Sequence, residues 1–180
     1  MIRCVPMIRV EKSELKGVLF ITPDAFEDFR GHYVELYNEQ LYKKKGILPT
    51  FVQDDISVSR KGVLRGIHGD TRTWKLISCL SGAFYFVVVN CDTKSAHYGK
   101  WVGMTLSARN RRQVLVPPLF GNGHLALTDE IVFHYKQSSY YTGADTQFSH
   151  RWNDPRFNIF WPTKDPLLSE RDAHAPLISL

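Results

Sequence analysis

Ala83-Phe-Tyr-Phe-Val-Val-Val-Asn90 is the stretch from which the fold can be read. Its interior, Phe84 to Val89, consists only of aromatic and β-branched residues, which favour a pleated, extended backbone. Apolar side chains fall on both alternating faces. Such a strand belongs at the centre of the molecule with both faces covered. Ser81-Gly82 is a turn signal on its N-terminal side, and Thr73 to Leu80 reads as the preceding strand. Further out on that side lie extended runs at Val18 to Thr22, Gly31 to Tyr37, Phe51 to Ser59 and Gly62 to His68, and one helical candidate, Asn38 to Lys45.

On the C-terminal side, Gly99 to Leu106 and Arg112 to Val116 read as a hairpin with a solvated basic tip, because the connection Ser107-Ala-Arg-Asn-Arg111 is polar and turn-like. Pro117-Pro118 cannot donate to a ladder and opens a loop. That loop is read as continuing through Gly121-Asn122-Gly123. Two more strands, His124 to Thr128 and Ile131 to Gln137, flank Asp129-Glu130. After Tyr141 the pattern dissolves into polar segments. Many short strands with few helices predict an all-β antiparallel sandwich or barrel of jelly-roll topology. No repeat, low-complexity tract or linker interrupts it, so residues 1–180 read as one domain.

The composition limits the function classes. The chain is 43% hydrophobic and carries a net charge of +5, a balance that suits an anionic partner. Its basic residues are scattered apart from Lys43 to Lys45 and Arg109 to Arg112, so the charged stripe that nucleic acid requires is missing. No apolar run reaches the roughly 20 residues that span a bilayer, and Met1 to Val10 does not read as a signal peptide, so no membrane partner is expected. Cys4, Cys79 and Cys91 form no Cys-x-x-Cys pair, and the latter two sit in strand-like runs. A reducing cytoplasm is the natural setting.

Three clusters could carry chemistry. Leu64-Arg-Gly-Ile-His-Gly-Asp70 ends one strand, Lys75 opens the next, and Tyr135-Lys136 lies in the strand after the Pro-Pro-Leu-Phe-Gly-Asn-Gly-His loop. Taken singly, His68 reads as a packed strand residue, Tyr135 as a sheet aromatic, Lys75 as a solvated lysine and Asp172 as a tail charge. Inward-facing side chains of neighbouring strands converge in small barrels, however, so a His, a Lys and a Tyr can meet around one ligand. A metal centre has little support. No His-x-His occurs, and His32, His97, His124, His134, His150 and His174 show no ligand spacing. Gly-x-Ser-x-Gly, Walker and dinucleotide-binding patterns are also missing.

An ordered series of motifs runs from about Gly17 to Pro176. It comprises Asp28-x-Arg30-Gly31, Phe51-x-Gln53, Val63-Leu-Arg-Gly-Ile-His68, Lys75-Leu, Phe86-x-Val-Val-Val, Tyr98-Gly-Lys-Trp-Val-Gly, Leu106-Ser, Arg112-Gln, Val116-Pro, Tyr135-Lys136, Tyr140-Tyr141, Arg151-Trp-Asn-Asp-Pro155, Trp161-Pro162 and Ser169-x-Arg171-Asp172. In this the chain resembles the dTDP-4-dehydrorhamnose 3,5-epimerases. The resemblance implies a cupin-type jelly roll that forms a homodimer and works on a nucleoside-diphosphate 4-keto sugar with no metal or other cofactor. A downstream reductase would act on the C4 ketone. It implies His68 as general base with Asp172 as its partner, Tyr135 as the acid on the opposite face, and Lys75 beside the developing C4 oxyanion. Arg65 and Gln53 would hold the diphosphate, Arg30 and Glu35 would reach the nucleotide from the neighbouring subunit, and Tyr141 would stack on the base.

The chemistry matches those residue types. A C4 ketone acidifies the hydrogens on C3 and C5, and histidine exchanges protons near neutrality. A cation aimed at the C4 oxygen stabilises charge where it develops. Two departures line the expected cavity. His68 is followed by Gly69-Asp70 where the rhamnose-pathway enzymes have Phe-Gln. The loop reads Gly121-Asn122-Gly123-His124 where they have Ala-His-Gly-Phe. Asp70, Asn122 and His124 are thereby candidate substrate contacts. These features resemble epimerases of GDP-linked 4-keto heptoses, so a GDP-heptose is expected beside a dTDP-4-keto-6-deoxyhexose. A 3,4-ketoisomerase or a catalytically silent sugar-nucleotide binder are the alternatives.

Overall fold

The computed structural model describes residues 7–178; Cys4 lies outside them. Thirteen strands, two short α-helices and one turn of 3-10 helix follow in the order β1 (Ile8–Lys12), β2 (Leu19–Pro23), β3 (Ala25–Asp28), β4 (Gly31–Val34), α1 (Glu39–Lys44), β5 (Gln53–Arg60), β6 (Leu64–Gly69), β7 (Lys75–Ser81), β8 (Ala83–Asn90), β9 (Trp101–Ser107), β10 (Gln113–Val116), β11 (Phe120–Ala126), β12 (Glu130–Gln137), the 3-10 turn (Ala144–Thr146), β13 (Phe148–Ser149) and α2 (Glu170–Ala173). One sheet has the order β1-β2-β10-β7-β12-β5 and faces a second with the order β13-β6-β11-β8-β9. β3 and β4 form a separate hairpin. All strand pairs are antiparallel. This is the expected all-β jelly-roll sandwich.

β8 occupies the place its composition predicts, between β11 and β9. Phe84, Phe86 and Val88 enter the core between the sheets with Ile77, Val114, Val116, Ile131 and Phe133. Val87 and Val89 face the other way, under Phe157 and Trp161 of the C-terminal segment. That segment is tied down through polar bonds. Trp161 Nε1 donates to the Trp152 carbonyl at 2.8 Å, and the buried Asp154 Oδ2 accepts from the Ile178 amide at 2.7 Å. On the outer side of the six-stranded sheet, α1 packs Tyr42 over Ile21, Leu76 and Leu115. Asn38 caps this helix, its Oδ1 accepting from the Leu41 amide.

Two sequence expectations are corrected. Gly99 to Leu106 and Arg112 to Val116 do not form a hairpin. β9 pairs with β8 at the edge of one sheet, whereas β10 lies between β2 and β7 in the other. The connection crosses between the sheets, with Arg111 in the left-handed region at φ 54°. Gly121-Asn122-Gly123 is not loop either but the middle of β11. Its glycines serve close packing: a Cβ at Gly123 would lie 3.0 Å from the Arg65 carbonyl oxygen and 3.0 Å from Ile67. The extended run from Gly31 also stops at Val34, short of Tyr37.

Candidate active site

Between the two sheets, at the end where the core gives way to polar side chains, lies a cavity of about 320 Å³. The six-stranded sheet supplies one wall. In β7 and β12, residues two apart share a face, so Ile77 and Cys79 with Phe133 and Tyr135 point inward. Lys75 continues the same face and lines the cavity with Ile77, Phe133 and Tyr135. The ladder places Tyr135 opposite Ile77 and Gln137 opposite Lys75.

The five-stranded sheet supplies the other wall, and it needs an irregularity. Arg65 and His68 are three residues apart, a spacing that puts side chains on opposite faces of a regular strand. In the β6–β11 ladder His68 faces Asn122 and Arg65 faces His124, so three steps on β6 span two on β11. This bulge turns both side chains into the cavity. Gly66 permits it. Its φ is 125°, and a Cβ there would stand 2.5 Å from the Gly123 Cα.

His68 Nε2 lies 2.6 Å from Asp172 Oδ1, although 104 residues separate them. The histidine side chain is 20% exposed to the cavity and the carboxylate 3%. Asp172 sits in α2, where the Ser169 hydroxyl donates to its Oδ2 at 2.9 Å and accepts from its amide at 3.2 Å. Burial pushes the Asp172 carboxyl up. The His68 ring, the Ser169 hydroxyl and the Gly66 amide more than offset this and hold it below the ordinary carboxylate range. An ionised Asp172 accepts only, so Nε2 carries the ring proton of neutral His68 and Nδ1 keeps its lone pair.

On the facing wall, burial raises the Tyr135 phenol, reinforced by Asp55 and Tyr141 and opposed by Arg65, so it stays protonated at neutral pH. Lys75 is pulled below the ordinary lysine range by burial. Asp70 counters this with Oδ2 3.8 Å from Lys75 Nζ, and Arg171 adds to it. His124 is sealed deeper in, its ring stacked on Phe133 at 4.2 Å between centroids and 12° between planes. Burial, aided by Arg65 and His68, lowers it to about 3. Its Nε2 and the Oδ1 of Asn122 are buried without a hydrogen-bond partner.

The cavity thus brings together eight of the residues singled out from the sequence: His68, Lys75, Tyr135, Asp172, Arg65, Asn122, His124 and Tyr141. Four others lie outside its lining. Gln53 is one step behind, its Oε1 accepting from the Tyr141 amide at 2.9 Å. Asp70 stands behind Lys75, and its Oδ1 holds the Arg72 and Thr73 amides of the following turn. Arg30 is at the exposed tip of the β3–β4 hairpin, paired with Asp28 at 2.6 Å. Glu35 follows that hairpin, with one oxygen on Asn38 and the other buried and unpartnered.

Sequence reading had assigned no role to Arg171. It lines the cavity and is held by Ser149 Oγ at 2.8 Å and Gln147 Oε1 at 3.3 Å. Its neighbourhood to Asp172 in the Ser-x-Arg-Asp motif was the available signal. With Arg65 and Lys75 it makes the cavity cationic. Among the described residues, no three His, Cys, Asp or Glu side chains are placed to hold a metal ion, and no helix is long and apolar enough to cross a membrane.

Residues 12–179 match the sequence profile of the dTDP-4-dehydrorhamnose 3,5-epimerases. The chain is 40% identical over 177 residues to the dTDP-4-dehydrorhamnose 3,5-epimerase of Salmonella typhimurium, covering 96% of each protein. Among solved structures it resembles the Legionella pneumophila dTDP-6-deoxy-D-glucose 3,5-epimerase in complex with dTDP-4-keto-L-rhamnose, with a TM-score of 0.89, 35% identity and 94% and 92% of the two chains covered. The Bacillus anthracis dTDP-4-dehydrorhamnose 3,5-epimerase, with TDP and pyrophosphate bound, superposes with a TM-score of 0.91 at 35% identity, covering 95% and 99%. A cationic cavity between the sheets, a histidine–carboxylate pair facing a tyrosine and a lysine, and agreement over nearly the full length lead to one assignment: the chain belongs to the dTDP-4-dehydrorhamnose 3,5-epimerase family and is an isomerase of sugar nucleotides.

Proposed function

We propose that the chain inverts C3, C5 or both of a dTDP-linked 4-keto-6-deoxyhexose through an enolate. The observation that carries this reading is the 2.6 Å His68–Asp172 pair opening on the same cavity as Tyr135 and Lys75 on the opposite wall. His68 Nδ1 takes the proton from the carbon next to the ketone. The electron pair of the broken C–H bond moves into the C3–C4 or C4–C5 bond, and the C4 oxygen becomes an oxyanion. Asp172 holds the ring and offsets the charge it acquires. Lys75 stabilises the oxyanion, typically one of the larger contributions in such chemistry. Tyr135 returns a proton from the opposite face, which inverts the centre, and the phenolate recovers a proton as His68 releases its own. A group that remains a protonated phenol until this step suits that task.

Arg65, with Gln53 beside Tyr141, is assigned to the diphosphate, and the proximity of Arg171 adds a second cation for it. Tyr141, half exposed at the mouth, is assigned to the base. Arg30 and Glu35 stand on and beside a hairpin outside the cavity, which favours their use across the interface of a homodimer. The free thiols of the buried Cys79 and the half-buried Cys91, raised by desolvation to about 11 and about 12, suit a reducing cytoplasm. A reductase of the C4 ketone would consume the product. A second substrate reading, a GDP-linked 4-keto heptose, is favoured by Asp70, Asn122 and His124.

The test is solvent exchange. The protein is incubated in D₂O with dTDP-4-keto-6-deoxyglucose and separately with GDP-4-keto-lyxo-heptose, and deuterium at C3 and C5 is followed by NMR beside His68→Asn. Exchange that the variant loses supports the mechanism, and the faster substrate names the nucleotide. A ketone that migrates to C3 would instead indicate a ketoisomerase. Binding without exchange on either sugar would indicate a silent binder.

A further inference from the structure

One carboxylate at the edge of the cavity has no part in the reaction so far. Gln53, Asp55, Ser57 and Ser59 alternate along β5 and share a face, and Ser57 lines the cavity. Asp55 is therefore on the cavity side, and the β5–β12 ladder sets it directly opposite Tyr135. Side chains in such a pair begin about 5 Å apart at Cβ. Asp55 Oδ2 accepts from Gln53 Nε2 and from Nε2 of the buried Gln137, both at 2.8 Å. Gln53 is fixed in turn, because its Oε1 accepts from the Tyr141 amide at 2.9 Å. Two carboxamides hold the carboxylate in place but carry no charge to cancel its own. No Lys, Arg or His among the described residues lies within ion-pair distance of it. A negative charge is thus fixed, unneutralised, beside the phenol.

The other groups that face Tyr135 are mostly cationic. Lys75 stands on β7, which flanks β12 on the side away from β5, with Arg65 on β6 and Arg171 in α2. Asp172 is the anion among them, and it is bonded to His68. Neutral His124 and Tyr141 complete the surroundings. Nearby cations favour a phenolate, and a phenolate has no proton to give. Burial raises the Tyr135 phenol most and Asp55 next, Tyr141 adds to this, and Arg65 opposes it. In the reaction proposed above, on which this inference rests, Tyr135 must keep its proton until the enolate forms and regain one afterwards. We infer that Asp55 is a positioning residue for the proton donor: its carboxylate, pinned by Gln53 and Gln137, keeps the Tyr135 phenol protonated against the cations of the cavity. The same charge makes the phenolate left by donation more basic, so the donor is restored for the next inversion.

The titration of Tyr135 itself tests this without substrate. Tyrosines are labelled with ¹³C at Cζ, Tyr135→Phe assigns the resonance, and NMR follows the phenol as pH rises in wild type, Asp55→Asn and Asp55→Glu. Asp55→Asn keeps an oxygen for both carboxamides and removes the charge. Its Tyr135 should lose the proton about one pH unit below wild type, and Asp55→Glu should hold it near the wild-type position. Unmoved Tyr42 and Tyr85 resonances, from residues packed elsewhere in the fold, show that each variant is folded. A Tyr135 that ionises at the same pH in Asp55→Asn as in wild type, or that shifts equally in Asp55→Glu, would overturn the inference. Turnover in D₂O gives a second reading. Asp55→Asn should lose net inversion at lower pH than wild type, while deuterium entry at the centre His68 serves keeps its own limb. Loss of both in parallel would count against Asp55 acting through Tyr135. Absence of exchange on any sugar would instead remove the epimerase reading, and the tyrosine titration would still decide whether Asp55 controls the phenol.

Discussion

Two histidines share the cavity, and their surroundings differ in nearly every respect that governs a proton. His68 has a carboxylate at 2.6 Å and a side chain 20% exposed. His124, beside it on the next strand, is sealed against Phe133 and Phe84, has no carboxylate in contact, and is pushed to about 3. A nearby anion stabilises an imidazolium, whereas burial alone forbids it. The same side chain is therefore equipped to accept a proton in the middle of the cavity and confined to neutral hydrogen bonding at its floor. The difference arises from a C-terminal helix of four residues that delivers Asp172 to one histidine and not the other.

The largest effects should come from breaking the His68 side of this contrast. His68→Asn is expected to lower the deuterium-exchange rate by roughly 10²–10⁴-fold, the usual worth of a positioned base. Asp172→Asn keeps the shape but no longer holds the proton on Nε2, and should lower the rate by about 10²-fold. Near-wild-type exchange in either variant would remove the dyad from the mechanism. Tyr135→Phe sharpens the assignment differently: deuterium should still enter the centre that His68 serves, while net inversion of the sugar falls.

The His124 side is legible in stability against acid. Its folded pKa of about 3 lies below the ordinary 6.5. Between those values the unfolded chain takes up a proton that the folded chain refuses, so stability falls as pH falls through that window. The slope from this one residue is up to about 1.4 kcal/mol per pH unit. Urea unfolding of wild type and His124→Phe at pH 7 and pH 4.5 should show a smaller acid loss in the variant. Equal losses would mean that the His124 ring takes up a proton in the folded protein.

Ser169 supports the dyad from behind, capping α2 and bonding Asp172. Ser169→Ala should cost about 0.5–2 kcal/mol in unfolding free energy, as for other lost caps, together with a fall in exchange rate much smaller than that of Asp172→Asn. The smallest effect is expected at Asp70, which raises the pKa of Lys75 against burial and Arg171. If Lys75 must be charged to steady the oxyanion, activity is lost as pH rises through the Lys75 pKa. Asp70→Asn should then move the alkaline limb of the rate profile to lower pH. An unmoved limb would detach Asp70 from Lys75.

Much of this was written into local sequence. The composition of Ala83 to Asn90 required burial on both faces, and β8 has it. Gly62 to His68 reads as a plain strand, whereas the structure puts a bulge at Gly66, and that bulge is what lets Arg65 and His68 share a face. The ordered motifs named the family, and with it His68, Asp172, Lys75 and Tyr135. Other features were not local. Gly121-Asn122-Gly123 carries loop-forming residues, yet neighbouring strands on both sides enforce a strand there. The polar Ser107 to Arg111 stretch looks alike whether it turns a hairpin or crosses between sheets. The deciding factor is which partner β10 finds, 35 residues or more away along the chain. Burial, likewise, is a property of the assembled sandwich. Sequence alone determined that a histidine, a lysine, a tyrosine and an aspartate were present in a recognisable order on an all-β frame. Only the tertiary structure decided which histidine receives a carboxylate and which is closed off, because desolvation and charge contacts depend on side chains brought together from strands and a helix far apart in the chain.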